Sequence, residues 1–141
     1  QHDLFDQIPL LKKDFLIPDY CAISSHDPVI KSWIGPKGTI STMHTDDKSN
    51  ILAQVMGEKL IILASPRESD NLYPYEGMLN NTTQVDAENL DFEKFPLVKN
   101  VRFYRVVLKE GEMLYIPRLW WHYVRSLTPS ISISFWFNEN E

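Results

Sequence analysis

The chain has 141 residues, with 43% hydrophobic and 23% charged residues, 14 Lys and Arg against 19 Asp and Glu, and a formal net charge of −5. That length suits one domain, able to bury roughly 68–70% of the surface its unfolded chain exposes, and an acidic balance argues against direct nucleic-acid binding, which wants clustered Lys and Arg. The single cysteine, Cys21, excludes an internal disulfide and suits a reducing compartment, nucleus or cytoplasm; it reads as a buried small apolar residue or as a reactive thiol. No apolar run approaches the ~18 residues of a membrane span, and no signal peptide is visible, so no membrane partner is expected. The first residue is Gln1 rather than Met, so 1–141 is expected to be a single domain cut from a longer protein whose N-terminal region is missing.

In chain order, the first element is a short helix candidate, "DLFDQIPLL". Four strand-like runs follow: "VIKSWI", "TISTMH", "ILAQVM" and "KLIILA". A long segment, 65–85, then carries the overlapping acceptor motifs "NNTT"; it reads as a loop, and long loops in compact domains are more often functional than idle. "DAENLDFEKF" predicts a second short helix with Asp86 as its N-cap. Four further strands close the chain: "VRFYRVVL", "EMLYI", "WWHYVRS" and "SISISFWF". Eight short runs rich in β-branched and aromatic residues, punctuated by Pro and Gly, predict an all-β sandwich or jelly roll with one or two short helices. In the last strand Ser130, Ser132, Ser134 and Trp136 share one face, and Ile131, Ile133, Phe135 and Phe137 share the other. The apolar face reads as core; the serine face suits either a cavity wall or solvent.

The chemistry-bearing stretch is His44-Thr45-Asp46. In a strand, His44 and Asp46 point the same way, about 7 Å apart along the backbone. His122, on a late strand that a jelly roll brings beside an early one, supplies a third donor. Two imidazoles and a carboxylate suit non-haem Fe(II) with open coordination positions. The set can also bind zinc. Each residue alone has a plainer reading, as a solvated or structural histidine. His2 and His26 lie in terminal or polar turn segments and are poorer ligands.

The combined motifs resemble the Jumonji-C (JmjC) family of 2-oxoglutarate-dependent oxygenases, from about Leu4 to Phe137. They are "WIGPKGTIS", the HTD stretch, "NTTQVD", "EKFP", the run from Gly111 to Val124, and "SISISFW", together with Lys59 fifteen positions after His44 and Ser41 three before it. The resemblance implies a double-stranded β-helix, cupin-like in form. It implies that His44, Asp46 and His122 hold Fe(II), and that 2-oxoglutarate and dioxygen are cosubstrates. Lys59 and Ser41 would bind the far carboxylate of 2-oxoglutarate; otherwise Lys59 is an exposed lysine past a turn. Asn50 would donate from its amide near the cosubstrate, and Trp136 would stand near its other end; their plainer readings are a loop residue and core packing. Trp33 would face the substrate pocket or fill core.

Ser41 and His44 have opposite strand parity, so both can serve the pocket only if the strand bulges near Met43. Two departures from the family are visible. Asp47 stands where the motif often continues with Pro, and the Tyr that close relatives set on the far carboxylate falls upstream of this chain, so that contact is expected to be lost. The resemblance implies hydroxylation of a protein side chain, with the arginyl branch favoured and a basic protein or peptide as partner. Methyl-lysine demethylation by the same iron is the alternative, a histone-directed role in chromatin. A cupin-like peptide-binding module without catalysis, which would show a broken triad or lack Lys59, is a third reading.

Overall fold

A computed structural model describes residues 3–138 of the chain. Eight strands run in the order β1 (Val29–Gly35), β2 (Ile40–His44), β3 (Ser49–Met56), β4 (Lys59–Ala64), β5 (Phe103–Leu108), β6 (Met113–Ile116), β7 (Trp121–Ser126) and β8 (Ser130–Phe137). They form two four-stranded antiparallel sheets, ordered β1-β8-β3-β6 and β2-β7-β4-β5. The chain crosses repeatedly between the sheets, the jelly-roll arrangement that the sequence predicts. Each strand occupies the run expected for it, with ends differing by at most two residues.

The helices differ from expectation. "DLFDQIPLL" gives one turn of α-helix, α1 (Leu4–Gln7), and Pro9 then opens a 3-10 turn through Asp14. The predicted helix over 86–95 does not form. Asp86 Oδ1 accepts from the backbone N–H of Glu88 and Asn89, and Asp91 Oδ1 accepts from those of Glu93 and Lys94. Two successive side-chain-closed turns therefore replace the helical ladder, the competition that Asp residues offer any helix interior. Val85, Phe95 and Val98 bury a small satellite core there. No helix among the described residues is long and apolar enough to cross a membrane.

Three apolar layers result. Leu52, Ile61, Leu63, Leu108 and Ile116 pack together, with Leu114 and Val124 against them. The Ile/Phe face of β8 packs under the N-terminal segment: Ile133, Phe135 and Phe137 meet Phe5, Cys21, Leu11 and Phe15. Phe15 stands edge-on to both Phe5 and Phe135. The second sheet buries Met43, Ile62, Tyr123 and Trp121 under Leu72 and Ala87 of the long connection. Both faces of β8 are therefore buried. Ser130, Ser132 and Ser134 face inward; Ser130 shares a hydrogen bond with Ser126, and Ser132 donates to Gln54. Of the two readings left open for the serine face, the cavity wall is the observed one. Cys21 is buried, and burial pushes its thiol pKa up.

Gly57 closes the β3–β4 turn at φ 76, where a Cβ would meet the Pro129 carbonyl oxygen at 2.3 Å. Only glycine fits both demands.

Candidate metal centre

β2 and β7 pair so that His44 lies directly opposite His122. The register shifts between Ser41 and His44, a bulge of the kind the opposed parities demand. Ile40, Thr42 and Met43 line a groove on the outside of the sheet, while Ser41 and His44 line the hollow within. Two consecutive outward residues, Thr42 and Met43, absorb the parity conflict.

The donor atoms of His44, Asp46 and His122 all lie within 4.8 Å of one another. His44 Nε2 stands 3.8 Å from Asp46 Oδ1, and His122 Nε2 stands 3.5 Å from Asp46 Oδ2. Each ring turns its other nitrogen away. His44 Nδ1 is 2.7 Å from the Thr42 carbonyl oxygen, and His122 Nδ1 is 3.0 Å from that of Trp120. A carbonyl only accepts, so each Nδ1 carries the proton and, in the neutral ring, Nε2 presents its lone pair to Asp46. Burial, reinforced by the neighbouring His122, lowers the His44 pKa and favours that neutral form. Burial opposes ionisation of Asp46, but His122, His44 and the Trp136 indole outweigh it and hold the carboxyl below its ordinary range. With both rings neutral the carboxylate faces two bare nitrogens; a proton on either Nε2 is what holds the Asp46 carboxyl ionised, and a metal cation can take that proton's place. Asp46 Oδ2 is buried without a hydrogen-bond partner. A divalent cation resolves all three, so the residues fit the group that their identities imply.

Trp33, Ser41, Asn50, Lys59 and Trp136 line the same hollow, with Leu52, Ile116, Val124 and Ser134. It is a cavity of about 50 Å³, partly open to solvent. All eight residues singled out from the sequence therefore border one cavity. His26 lies apart, on an exposed turn with Ser25, and His2 lies outside the described residues. Lys59 is 7% exposed, has no ion pair among the described residues, and burial lowers its pKa to about 8. It enters from β4 opposite Ser126, four residues further along β7 than His122. That is about 13 Å along the strand, a distance that the long lysine stem shortens. Among the described residues three buried side-chain atoms lack a hydrogen-bond partner: Asp46 Oδ2, Asn50 Oδ1 and Trp136 Nε1. All three belong to residues that line this hollow.

Sequence reasoning gave Ser134 no role of its own. It accepts from Trp33 Nε1 at 2.8 Å and from Asn50 Nδ2 at 3.5 Å, and Trp33 in turn packs edge-on to Trp136. Its alternation with Trp136 along β8 was the available signal.

The family described as "Cupin-like domain" matches residues 1–141. The chain belongs to that family, as a cupin-like JmjC domain. It is similar to "Jumonji C domain-containing protein 5" of Drosophila melanogaster, 55% identical over 97% of this chain and 35% of that protein. It is likewise similar to "Lysine-specific demethylase JMJ30" of Arabidopsis thaliana, at 51% over all of this chain and 34% of that one. "Lysine-specific demethylase 8" of Xenopus tropicalis is 46% identical over 98% of this chain and 32% of its own length. The chain thus spans about a third of the curated relatives it matches. JmjC domains as a family depend on Fe(II) and 2-oxoglutarate, and the cupin-like framework supplies the His-Asp-His set where such an ion would sit.

Proposed function

We propose that this chain is the catalytic domain of an Fe(II)- and 2-oxoglutarate-dependent dioxygenase that hydroxylates a protein side chain, arginine being the favoured target. One observation carries the reading: a single hollow with a metal-fitting triad towards one end and a buried, unpaired ammonium towards the other. A cosubstrate with a chelating end and a distant carboxylate matches both.

His44, Asp46 and His122 would hold the ion on one face, leaving the other positions for ligands. When bound there, such an ion with 2-oxoglutarate and dioxygen would supply oxidative chemistry: decarboxylation to succinate and carbon dioxide, with one oxygen atom going into succinate and the other into a substrate C–H bond. The remaining work belongs to this chain. Thr42 and Trp120 fix the imidazoles through their carbonyls. Lys59 would hold the far carboxylate, with Ser41 as a hydroxyl donor, because a buried cation gains most from an anionic partner. Asn50 and Trp136 supply amide and indole N–H groups beside the nearer end. Leu52, Ile116 and Val124 exclude water from the stem between them. Trp33, which lines the same hollow, would face the substrate.

The formal net charge of −5 supports a basic protein or peptide substrate. Arginine is preferred because the motif set resembles the arginyl-hydroxylase branch. The names of two relatives favour a second reading, removal of a methyl group from lysine, in which the hydroxylated N-methyl breaks down to amine and formaldehyde. We assign the reaction to the nucleus or cytoplasm, and residues 1–141 to one domain of a longer protein.

The test incubates the iron-loaded chain with 2-oxoglutarate and either arginine or methyl-lysine peptides. Hydroxylation adds the mass of one oxygen atom; demethylation removes one methylene. Peptide binding without succinate formation would leave only a docking module. Turnover with zinc alone would exclude the oxygenase reading, and His44→Ala is expected to abolish succinate release.

A further inference from the structure

Thr45 lies between the two ligands His44 and Asp46, past the end of β2 and before the start of β3. No strand ladder holds it. Yet both of its backbone polar groups are taken, and by one residue. Its N–H donates to the Asn81 carbonyl oxygen at 2.8 Å, and its carbonyl oxygen accepts from Asn81 Nδ2 at 3.1 Å. On either side the contact continues: Thr82 pairs with His44 as an isolated bridge, and Thr83 N–H donates to the Met43 carbonyl at 3.1 Å. The Asp46 carbonyl accepts from Leu119 N–H at 2.9 Å, and Leu119 itself sits at φ 65. A non-glycine residue in that region stores strain, which the surroundings must impose.

We propose that Asn81 is a positioning residue of the metal centre: its carboxamide, acting through Thr45, fixes the spacing of His44 and Asp46 and with it the affinity for a divalent metal. The proposal rests on the reading of that triad as a metal site. Among the described residues it is the one clamp on Thr45 made by a side chain, so a substitution can remove it. Without it the Thr45 carbonyl loses its partner, and the Thr45–Asp46 peptide can tilt between flanking peptides still held by the Asn81 carbonyl and Leu119 N–H, which shifts the Asp46 carboxylate relative to the two Nε2 atoms. The Thr82 hydroxyl donates to Asn81 Oδ1 at 3.4 Å, which sets the amide with its nitrogen towards Thr45. The hairpin that carries Asn81 does not need that amide to fold. Tyr75 N–H bonds the Thr82 carbonyl, Gln84 N–H bonds that of Tyr73, and the Thr83 hydroxyl bonds that of Leu72.

The long 65–85 segment thereby buttresses the ligand-bearing stretch from outside the sheet. Partners behind metal ligands commonly carry ten- to a hundredfold in metal affinity.

The experiment titrates Co(II) into the metal-free chain and follows its visible absorption, with thermal melting in parallel. Asn81→Leu removes the amide at similar size, and Asn81→Asp sets an oxygen against the Thr45 carbonyl. Both are expected to bind Co(II) about ten- to a hundredfold more weakly than wild type. Thr83→Val loosens the same hairpin elsewhere and is expected to lower the melting temperature while keeping Co(II) affinity. Unchanged affinity in folded Asn81→Leu and Asn81→Asp overturns the proposal. So does an equal loss in Thr83→Val, since the effect would then belong to the loop as a whole. A wild-type chain that binds no Co(II) overturns the metal-centre reading itself, and this inference with it.

Discussion

His44 and His122 stand opposite each other across β2 and β7, their ring centroids 4.2 Å apart and their planes tilted by 54°, each ring tied through Nδ1 to the carbonyl two residues before it. The pairing brings donors from two strands distant in sequence to one place that could hold a cation. Mn(II), which binds the folded state alone, should stabilise the wild-type chain by about 2.7 kcal/mol at a hundredfold excess over its dissociation constant. His122→Ala is expected to erase that stabilisation, because it removes the buried third donor. A Mn(II)-dependent rise in melting temperature of His122→Ala equal to that of wild type would place the ion elsewhere.

Burial of the Lys59 ammonium costs stability, a cost that an anionic ligand such as 2-oxoglutarate would offset. The ordinary lysine pKa of 10.5 falls to about 8 in the folded chain because burial disfavours the cation. Between these values the unfolded chain holds the extra proton, so stability rises with pH across that window; below about 8 the burial penalty is fully present. Lys59→Met is therefore expected to stabilise the ligand-free chain at pH 7, on the order of 1–3 kcal/mol, with the gain shrinking as pH climbs towards 10.5. The same substitution should weaken 2-oxoglutarate binding at least tenfold. Chemical denaturation across pH and direct titration of 2-oxoglutarate check the two halves separately.

The strands were readable because their β-branched and aromatic runs are set apart by Pro and Gly, and once the resemblance gave Ser41 and His44 to one pocket, their opposite parity called for a bulge near Met43. What failed was the segment 86–95. An Asp that caps a helix also closes a side-chain turn, and Asp91 arrives soon enough to close a second one before any helix propagates. The serine face of β8 stayed ambiguous for another reason: alternation separates two faces but does not say that both are covered. The N-terminal segment that buries Phe135 and Phe137 lies a whole chain length away. Asn81 and Ser134 were out of reach because their meaning lies in hydrogen bonds to residues 36 and 101 positions distant.

Glu88 anchors the outer face of the second sheet. Its carboxylate accepts from Arg125 Nε and Nη2, at 2.5 and 2.8 Å, and from the Tyr123 hydroxyl at 2.6 Å. Arg125 first, then Tyr123, lower its pKa to about 2, from an ordinary 4.5. Above pH 4.5 its contribution to stability is complete, and it is lost as pH falls towards 2. Glu88→Gln should cost about 1 kcal/mol at pH 7 after allowance for solvent screening. The difference from wild type should vanish at pH 2. Urea melts at pH 7, 4 and 2 measure it; a difference that persists undiminished at pH 2 would assign the loss to packing instead.

Ser134 decides which way Asn50 faces. With Trp33 Nε1 already donating to its oxygen, Ser134 has its own proton to give, and Asn50 Oδ1 is the buried acceptor without a partner. The Ser134 oxygen also accepts from Asn50 Nδ2 at 3.5 Å and so holds that amide at the wall of the hollow, beside the site proposed for an anionic ligand. Ser134→Ala should then raise the dissociation constant of 2-oxoglutarate by about five- to tenfold, the worth of one hydrogen bond near 1 kcal/mol. Affinity for the metal should stay unchanged, since Ser134 touches none of the three ligands' donor atoms. Trp33→Phe keeps the ring but loses the polarising N–H, so its effect should not add to that of Ser134→Ala. Strict additivity of the two substitutions in cosubstrate titrations would show that Trp33 and Ser134 act independently, and the relay would be discarded.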